Sequence, residues 1–137
     1  MNGEVIPGFE IYEKISEGPA FISHKARQTA LDRLVVLTLM SPEFAADEEW
    51  SRRVLKEAKK VARLKQPGIL QVFDLGQEAD RLFLVTEYVE GATVSQLLKS
   101  IGRLPFLKAR GIVRDVAEAL EFAWVRANSY KYGFILR

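Results

Sequence analysis

Apolar and polar residues alternate along the first half of the chain with the two-residue period of β-strands. FEIYEKI (9–15) and FISHKAR (21–27) follow this period on either side of SEGPA, where a Gly-Pro pair predicts a turn. LVVLTLM (34–40) predicts a third strand, in which one threonine interrupts an apolar run. ILQVFDLG (69–76) and RLFLVTEYV (81–89), joined by a polar turn, complete five predicted strands.

A helical period replaces this alternation between the third and fourth strands. Apolar residues recur there at four- and three-residue steps, at Trp50, Val54, Ala58 and Val61. SPEFAADEEW (41–50) is predicted to be a loop feeding this helix, with Asp47 as the N-cap. Two further helices, over 93–101 and after Pro105, follow the last strand. The pattern alone predicts an α+β domain.

The composition is that of an ordinary globular domain. Of 137 residues, 48% are hydrophobic and 28% charged, and a net charge of +2 creates no field that favours nucleic acid or membrane. The absence of cysteine excludes disulfides and thiolate metal sites. No secretory signal begins the sequence, and no stretch approaches the roughly 18 apolar residues of a membrane span. We therefore expect a cytoplasmic protein, or a cytoplasmic segment of a larger one.

One carboxylate interrupts the apolar face of the first helix. Glu57 lies three residues after Val54 and four before Val61, so it shares the face that should pack on the sheet. A carboxylate in such a position requires a cation or a hydrogen-bond donor. The alternative is that Glu57 lies at the edge of the apolar stripe and reaches water.

The order and spacing of several segments resemble a bacterial-type serine/threonine protein kinase, from about Phe9 to Arg126. These segments are HKAR (24–27), LDRLVVL (31–37), KEAKKVARLKQPGILQVFDLG (56–76), LFLVTEYVEGATVSQLL (82–98) and IVRDVAEAL (112–120). The resemblance implies a kinase-like N-terminal lobe over 1–91, with a five-stranded antiparallel sheet and one inserted helix. It also implies that 92–137 form the first two helices of a truncated C-terminal lobe.

The resemblance further implies a nucleotide pocket that has lost its phosphate-binding groups. The family's third-strand lysine falls on Thr38, whereas the helix glutamate that pairs with that lysine is retained as Glu57. A threonine hydroxyl donates a hydrogen bond but carries no charge for a phosphate. The glycine-rich loop falls on 16–23, where only Gly18 remains and Ser23 replaces the adenine-packing valine.

The adenine side of the pocket keeps the family's character under the same resemblance. Its counterparts are Ile15, Val36, the gatekeeper Thr86 and the hinge from Glu87 to Val89. A kinase hinge recognises adenine through its backbone, so we expect at most weak ATP binding, no required cofactor and no metal site. The alternative is that these residues only complete a strand and its exit.

The catalytic aspartates of the family have no counterpart in this sequence. Continued without a gap, the H-R-D motif falls on Tyr130, Lys131 and Tyr132, and no aspartate follows Asp115. The D-F-G segment is absent as well. The resemblance therefore implies a catalytically inactive, pseudokinase-like domain. Replacement of the missing lysine by Lys25 is a further alternative, although a solvated surface lysine explains this residue equally simply.

We expect such a domain to act as a protein-interaction or regulatory module. In the family, the rest of the C-terminal lobe buries the long helix, so its apolar residues here require another cover. The candidate interface residues are Val113, Val116, Leu120, Trp124, Phe134, Ile135 and Leu136. A protein partner or a second copy of the chain would supply that cover, and we expect a homodimer.

Three alternatives remain open at this point. The chain could be a non-catalytic sensor of adenine nucleotides, or a fragment of a longer kinase-like protein. It could also bind an acidic partner or nucleic acid through its basic first helix, which carries Arg52, Arg53, Lys56, Lys59, Lys60, Arg63 and Lys65. Such a helix is ordinarily a solvated face, and no interleaved aromatic residues indicate base stacking, so we expect no nucleic acid.

Overall fold

The computed structural model describes residues 5–127. Its elements are β1 Phe9–Glu17, β2 Phe21–Gln28, β3 Arg33–Met40, α1 Pro42–Ala45, α2 Glu48–Ala62, β4 Val72–Glu78, β5 Arg81–Glu87, α3 Val94–Ile101 and α4 Phe106–Ala127. The five strands form one antiparallel sheet in the order β1-β2-β3-β5-β4. The predicted α+β architecture, with one long helix inserted after the third strand, is confirmed. Within the described range, no helix is long and apolar enough to cross a membrane.

The hydrophobic core lies on one face of the sheet. The burial of β3 shows this, because buried residues alternate with less buried ones along the strand. Val35, Leu37 and Leu39 point to the core face and are almost fully buried. The same cluster contains Ile6, Ala26, Phe83 and Val85. Burial of one such aliphatic side chain contributes about 1.5–3 kcal/mol. Thr38 lies on the opposite face of β3.

Local sequence signals explain where the helices begin and end. The Asp47 carboxylate accepts a hydrogen bond from the Trp50 N–H at 3.0 Å, which confirms Asp47 as the N-cap of α2. The Thr93 side chain and Gln96 form a capping box at the start of α3. Gly102 ends α3 with a φ of +76°, a conformation that glycine adopts without strain.

Several predicted boundaries were wrong, each for a local reason. Residues 42–45, predicted to be a loop, form the single turn α1, with a proline at its first position. The predicted turn began too early, because β1 continues to Glu17. The fourth strand begins at Val72 rather than at residue 69, since Ile69 donates instead to the Gln66 carbonyl in a turn. The fifth strand ends at Glu87, two residues earlier than predicted.

The chain divides into two compact units. One comprises the residues up to 63 together with 71–88, and the other comprises 64–70 and the residues from 89 onward. In the second unit, Ala119 and Ala123 of α4 are fully buried, and a Cβ atom at Gly68 would lie 3.2 Å from the Ala119 Cβ. The boundary near residue 91 stays a prediction.

Candidate functional site

The register of the central strands brings four of the predicted pocket residues onto one face of the sheet. Ser23 of β2 pairs with Thr38 of β3, and Val36 of β3 pairs with Thr86 of β5. Because paired residues and residues two apart share a face, all four side chains lie on the side opposite the core. Ser23 and Thr86 are both buried.

Two hydroxyl groups form the centre of this face. The Ser23 Oγ and Thr38 Oγ1 atoms lie 2.8 Å apart, and either can donate the hydrogen bond. Each hydroxyl thus has the other as a hydrogen-bond partner in a partly buried position, without any charge. The sequence marked both residues separately, but their pairing depends on the β2–β3 register, which the pattern does not specify.

Glu57 receives its cation from its own helix. Its Oε1 accepts a hydrogen bond from the Lys60 Nζ at 3.2 Å, three residues further along α2. The Glu57 side chain is only 18% exposed. Its Oε2 is buried and makes no hydrogen bond within the described part of the chain. The side chain therefore lies within the packed structure and meets a cation, rather than reaching water at the edge of the stripe.

The turn between β1 and β2 is closed by its own backbone and by an aromatic ring. The Gly18 N–H donates to the Phe21 carbonyl at 2.8 Å. A Cβ atom at Gly18 would lie 3.3 Å from Phe21 Cε1, so the ring packs directly against the glycine. Pro19 contributes no N–H to this turn. Ile15, at the β1 side of the turn, is exposed.

The end of β5 is tied to the residue that precedes β4. The Glu87 N–H donates to the Gln71 carbonyl at 3.0 Å, and the Glu87 carboxylate accepts from the Gln71 N–H at 2.9 Å. Beside it, the Lys25 Nζ lies 4.8 Å from the centre of the Tyr88 ring and 3.9 Å from a Glu13 carboxylate oxygen. The Lys25 ammonium is thus held between an aromatic face and a carboxylate. Val89 belongs to the second unit and is exposed.

Charged groups on β1 and β2 pair with one another at the surface. Hydrogen bonds to Asp32 and then to Glu10, at 2.6 and 2.7 Å, raise the pKa of the Arg27 guanidinium. The hydrogen bond from Lys14, at 2.6 Å, lowers the pKa of the Glu17 carboxyl just before the turn. Within residues 5–127, no cluster of three or more histidine, aspartate or glutamate side chains could hold a metal ion.

The candidate interface residues of α4 differ in their exposure. Val113 is 67% and Trp124 is 48% exposed, Leu120 is also exposed, and Val116 is half-buried. Phe134, Ile135 and Leu136 lie outside the described residues, as do Tyr130, Lys131 and Tyr132. Three further apolar side chains of α4, which were not among the predicted interface residues, are exposed as well, namely Phe106, Leu107 and Val125.

Comparison with known proteins identifies the family. The model of the protein kinase domain family matches residues 9–130. The chain belongs to the protein kinase family, and its relatives are of the bacterial serine/threonine type. It is 38% identical over 124 residues to a probable serine/threonine-protein kinase of Clostridium perfringens. It is 32% identical over 124 residues to the serine/threonine-protein kinase PrkC of Bacillus subtilis.

Solved kinase structures support the same assignment. The crystal structure of the Mycobacterium tuberculosis PknI kinase domain matches with a TM-score of 0.76 and 28% identity, over 90% of this chain and 51% of that one. Each curated relative above is matched over 90% of this chain but over only 18–19% of its own length. This protein-kinase chain therefore spans less than a fifth of those relatives and about half of the solved kinase domain.

Proposed function

We propose that this kinase-family chain is a catalytically inactive, pseudokinase-like domain that acts as a protein-interaction or regulatory module. The observation that carries the proposal is the hydrogen bond between the Ser23 and Thr38 hydroxyls. In kinases, a lysine at the position of Thr38 holds the ATP phosphates and pairs with the helix glutamate. The hydroxyl pair is neutral, and one of its two O–H groups is used within the pair, so it offers a phosphate no charge and at most one hydroxyl donor.

Two further contacts support the loss of phosphate binding. Lys60 supplies a cation to the Glu57 Oε1 from within α2, so this oxygen is paired without a lysine from the sheet. The Phe21 ring packs against Gly18, where backbone N–H groups would otherwise approach phosphate oxygens. The residues on this face therefore do not fit a triphosphate.

The adenine side favours a second candidate, a non-catalytic sensor of adenine nucleotides. Val36 and Thr86 pair across β3 and β5, so an apolar side chain and a small gatekeeper stay side by side. An adenine ring could pack there without any phosphate contact. In this proposal ATP binds at most weakly, and no cofactor is required.

The partner in the main proposal is another protein or a second copy of the chain. Exposed apolar side chains on α4, among them Phe106, Val113 and Trp124, support this part of the proposal. Light scattering at micromolar concentration tests the homodimer, which a monomer mass would contradict.

Phosphoryl transfer itself provides the test of inactivity. The purified natural protein is incubated with radiolabelled ATP, Mg²⁺ or Mn²⁺ and a substrate protein rich in serine and threonine. We expect no label on the substrate or on the chain above a control without enzyme. Transfer of label that the Thr38→Ala variant abolishes would contradict the proposal, because it would show a working site at this face.

A further inference from the structure

A groove of about 450 Å³ lies between α2 and β4 in the first unit. Its apolar lining comes from Leu55, Ala58 and Ala62 of the helix and from Val72, Phe73 and Leu75 of the strand. Two charged residues complete the lining, Lys59 on the helical wall and Asp74 on the strand wall. A concave apolar surface of this volume is within the range that binds compact ligands or side-chain anchors.

A row of four cations follows the same helix beside this groove. Arg52, Lys56, Lys59 and Arg63 are separated by steps of four, three and four residues, so they share one helical face. We call these four residues the cationic stripe; it extends for about 16 Å along the helix axis. All four are exposed, and none pairs with a carboxylate in the described part of the chain. By contrast, Arg53 of the same helix pairs with Glu49 at 3.3 Å.

We infer that the groove and the cationic stripe together bind an acidic amphipathic peptide segment of a partner protein. The inference rests on the proposed function, because it names the kind of partner through which an inactive domain would act. Apolar side chains of the segment would occupy the groove, and its carboxylates would meet the stripe. Asp74 on the opposite wall repels carboxylates, so the acidic side of the segment faces α2.

The same residues favour a peptide over nucleic acid as the occupant. A nucleic acid would use the cations but would leave the apolar lining empty and would meet Asp74. Base stacking requires an open aromatic face. Phe73 is the aromatic residue in the lining, and the Arg33 guanidinium already covers its ring at 3.7 Å from the ring centre.

A library of random 12-residue peptides displayed on phage provides the probe. Enriched peptides are synthesised with a fluorescent label, and their affinity for the purified natural protein is measured by anisotropy. We expect enriched peptides to be acidic and to carry apolar residues three or four positions apart. We also expect their affinity to fall steeply between 50 and 200 mM salt, since exposed ion pairs are screened.

Two variants probe the two parts of the surface separately. Arg52→Ala with Lys59→Ala removes half of the cationic stripe, and Ala58→Gln extends a side chain into the groove. We expect each to weaken binding about tenfold or more, which corresponds to about 1.4 kcal/mol. Lys99→Ala with Lys108→Ala removes the same charge from α3 and α4, where both lysines are exposed, and should leave binding unchanged. Unfolding midpoints of all variants verify that each is folded.

The peptide selection and the affinities of the variants test the inference. The inference would be overturned if acidic apolar peptides were not enriched. It would also be overturned if neither the stripe variant nor the groove variant changed the affinity of the enriched peptides. A 20-nucleotide single strand that binds equally well and ignores Ala58→Gln would assign the stripe to nucleic acid instead. Phosphoryl transfer is measured on the same preparations. Transfer with intact peptide binding would refute only the proposed inactivity, whereas loss of peptide binding without transfer would refute only the groove.

Discussion

The hydroxyl groups of Ser23 and Thr38 lie 2.8 Å apart and hydrogen-bond to each other at the face of the sheet where kinases hold ATP phosphates. A double-mutant cycle tests this relationship. Ser23→Ala or Thr38→Val alone leaves one partly buried hydroxyl unpaired, so we expect each to lower the free energy of unfolding by about 1–3 kcal/mol. The double variant should be less destabilised than the sum of the two, because neither hydroxyl remains.

Urea unfolding of the four proteins measures this coupling. Ser95→Ala, an exposed serine on α3, is the matched control and should change stability by less than about 0.5 kcal/mol. Additive effects of Ser23→Ala and Thr38→Val would show that the two hydroxyls do not depend on each other.

The Glu57–Lys60 pair predicts that substitution of Lys60 lowers the free energy of unfolding more than substitution of the neighbouring Lys56. Lys60→Met removes the cation from a carboxylate that is only 18% exposed, so we expect unfolding at a lower urea concentration, with a loss of about 1–3 kcal/mol. Lys56→Met is the control, since Lys56 is exposed and lies on the cationic stripe. Equal effects of the two substitutions would mean that Lys60 does not stabilise Glu57.

The contact of Gly76 with Phe83 predicts that a smaller side chain at position 83 restores part of the stability lost when Gly76 is substituted. A Cβ atom at Gly76 would overlap Phe83 Cζ, so Gly76→Ala forces the ring to move and should cost about 1–3 kcal/mol. Combining it with Phe83→Leu should recover part of that loss. Gly111→Ala is the matched control, because open space surrounds Gly111 within α4, and we expect it to stabilise by roughly 0.5–1 kcal/mol. A Gly76→Ala variant as stable as the wild type would exclude the close approach.

The Lys14–Glu17 pair predicts that the difference in stability between the wild type and Lys14→Gln depends on pH. The hydrogen bond from Lys14 lowers the folded-state pKa of Glu17, so the stabilisation exists above the unfolded-state pKa and disappears as the pH falls through the folded-state value. Lys14→Gln should therefore be less stable than the wild type near neutral pH, and the difference should vanish well below the usual glutamate pKa of about 4.3. Thermal unfolding across this range measures it; a difference independent of pH would exclude the pair as its cause.

The fold was predictable because its signals are local. The alternating burial of Val35 and Leu37 and the N-cap at Asp47 are both present in short windows of sequence. The burial of Ala119 on α4 was not predictable, because a small apolar residue carries a weaker pattern than Val113 and Trp124, which the structure leaves exposed.

The candidate site was predictable in its residues but not in its contacts. Thr38 and Glu57 stood out because each departs from the pattern around it. Their actual partners depend on strand register and on a neighbouring helical turn, so the sequence did not reveal them. The ring of Phe21 against Gly18 likewise depends on the tight closure of the β1–β2 turn.

The most direct test of the central claim compares Mg²⁺-ATP with adenosine as ligands of the natural protein. A ligand that binds only the folded state raises stability by RT ln(1 + [L]/Kd), so thermal unfolding at equal millimolar concentrations ranks the two affinities. Because the phosphate-binding groups are replaced by a neutral hydroxyl pair, we predict that Mg²⁺-ATP raises the unfolding midpoint no more than adenosine does. A clearly larger rise with Mg²⁺-ATP would show that the phosphates are bound, and would contradict the account.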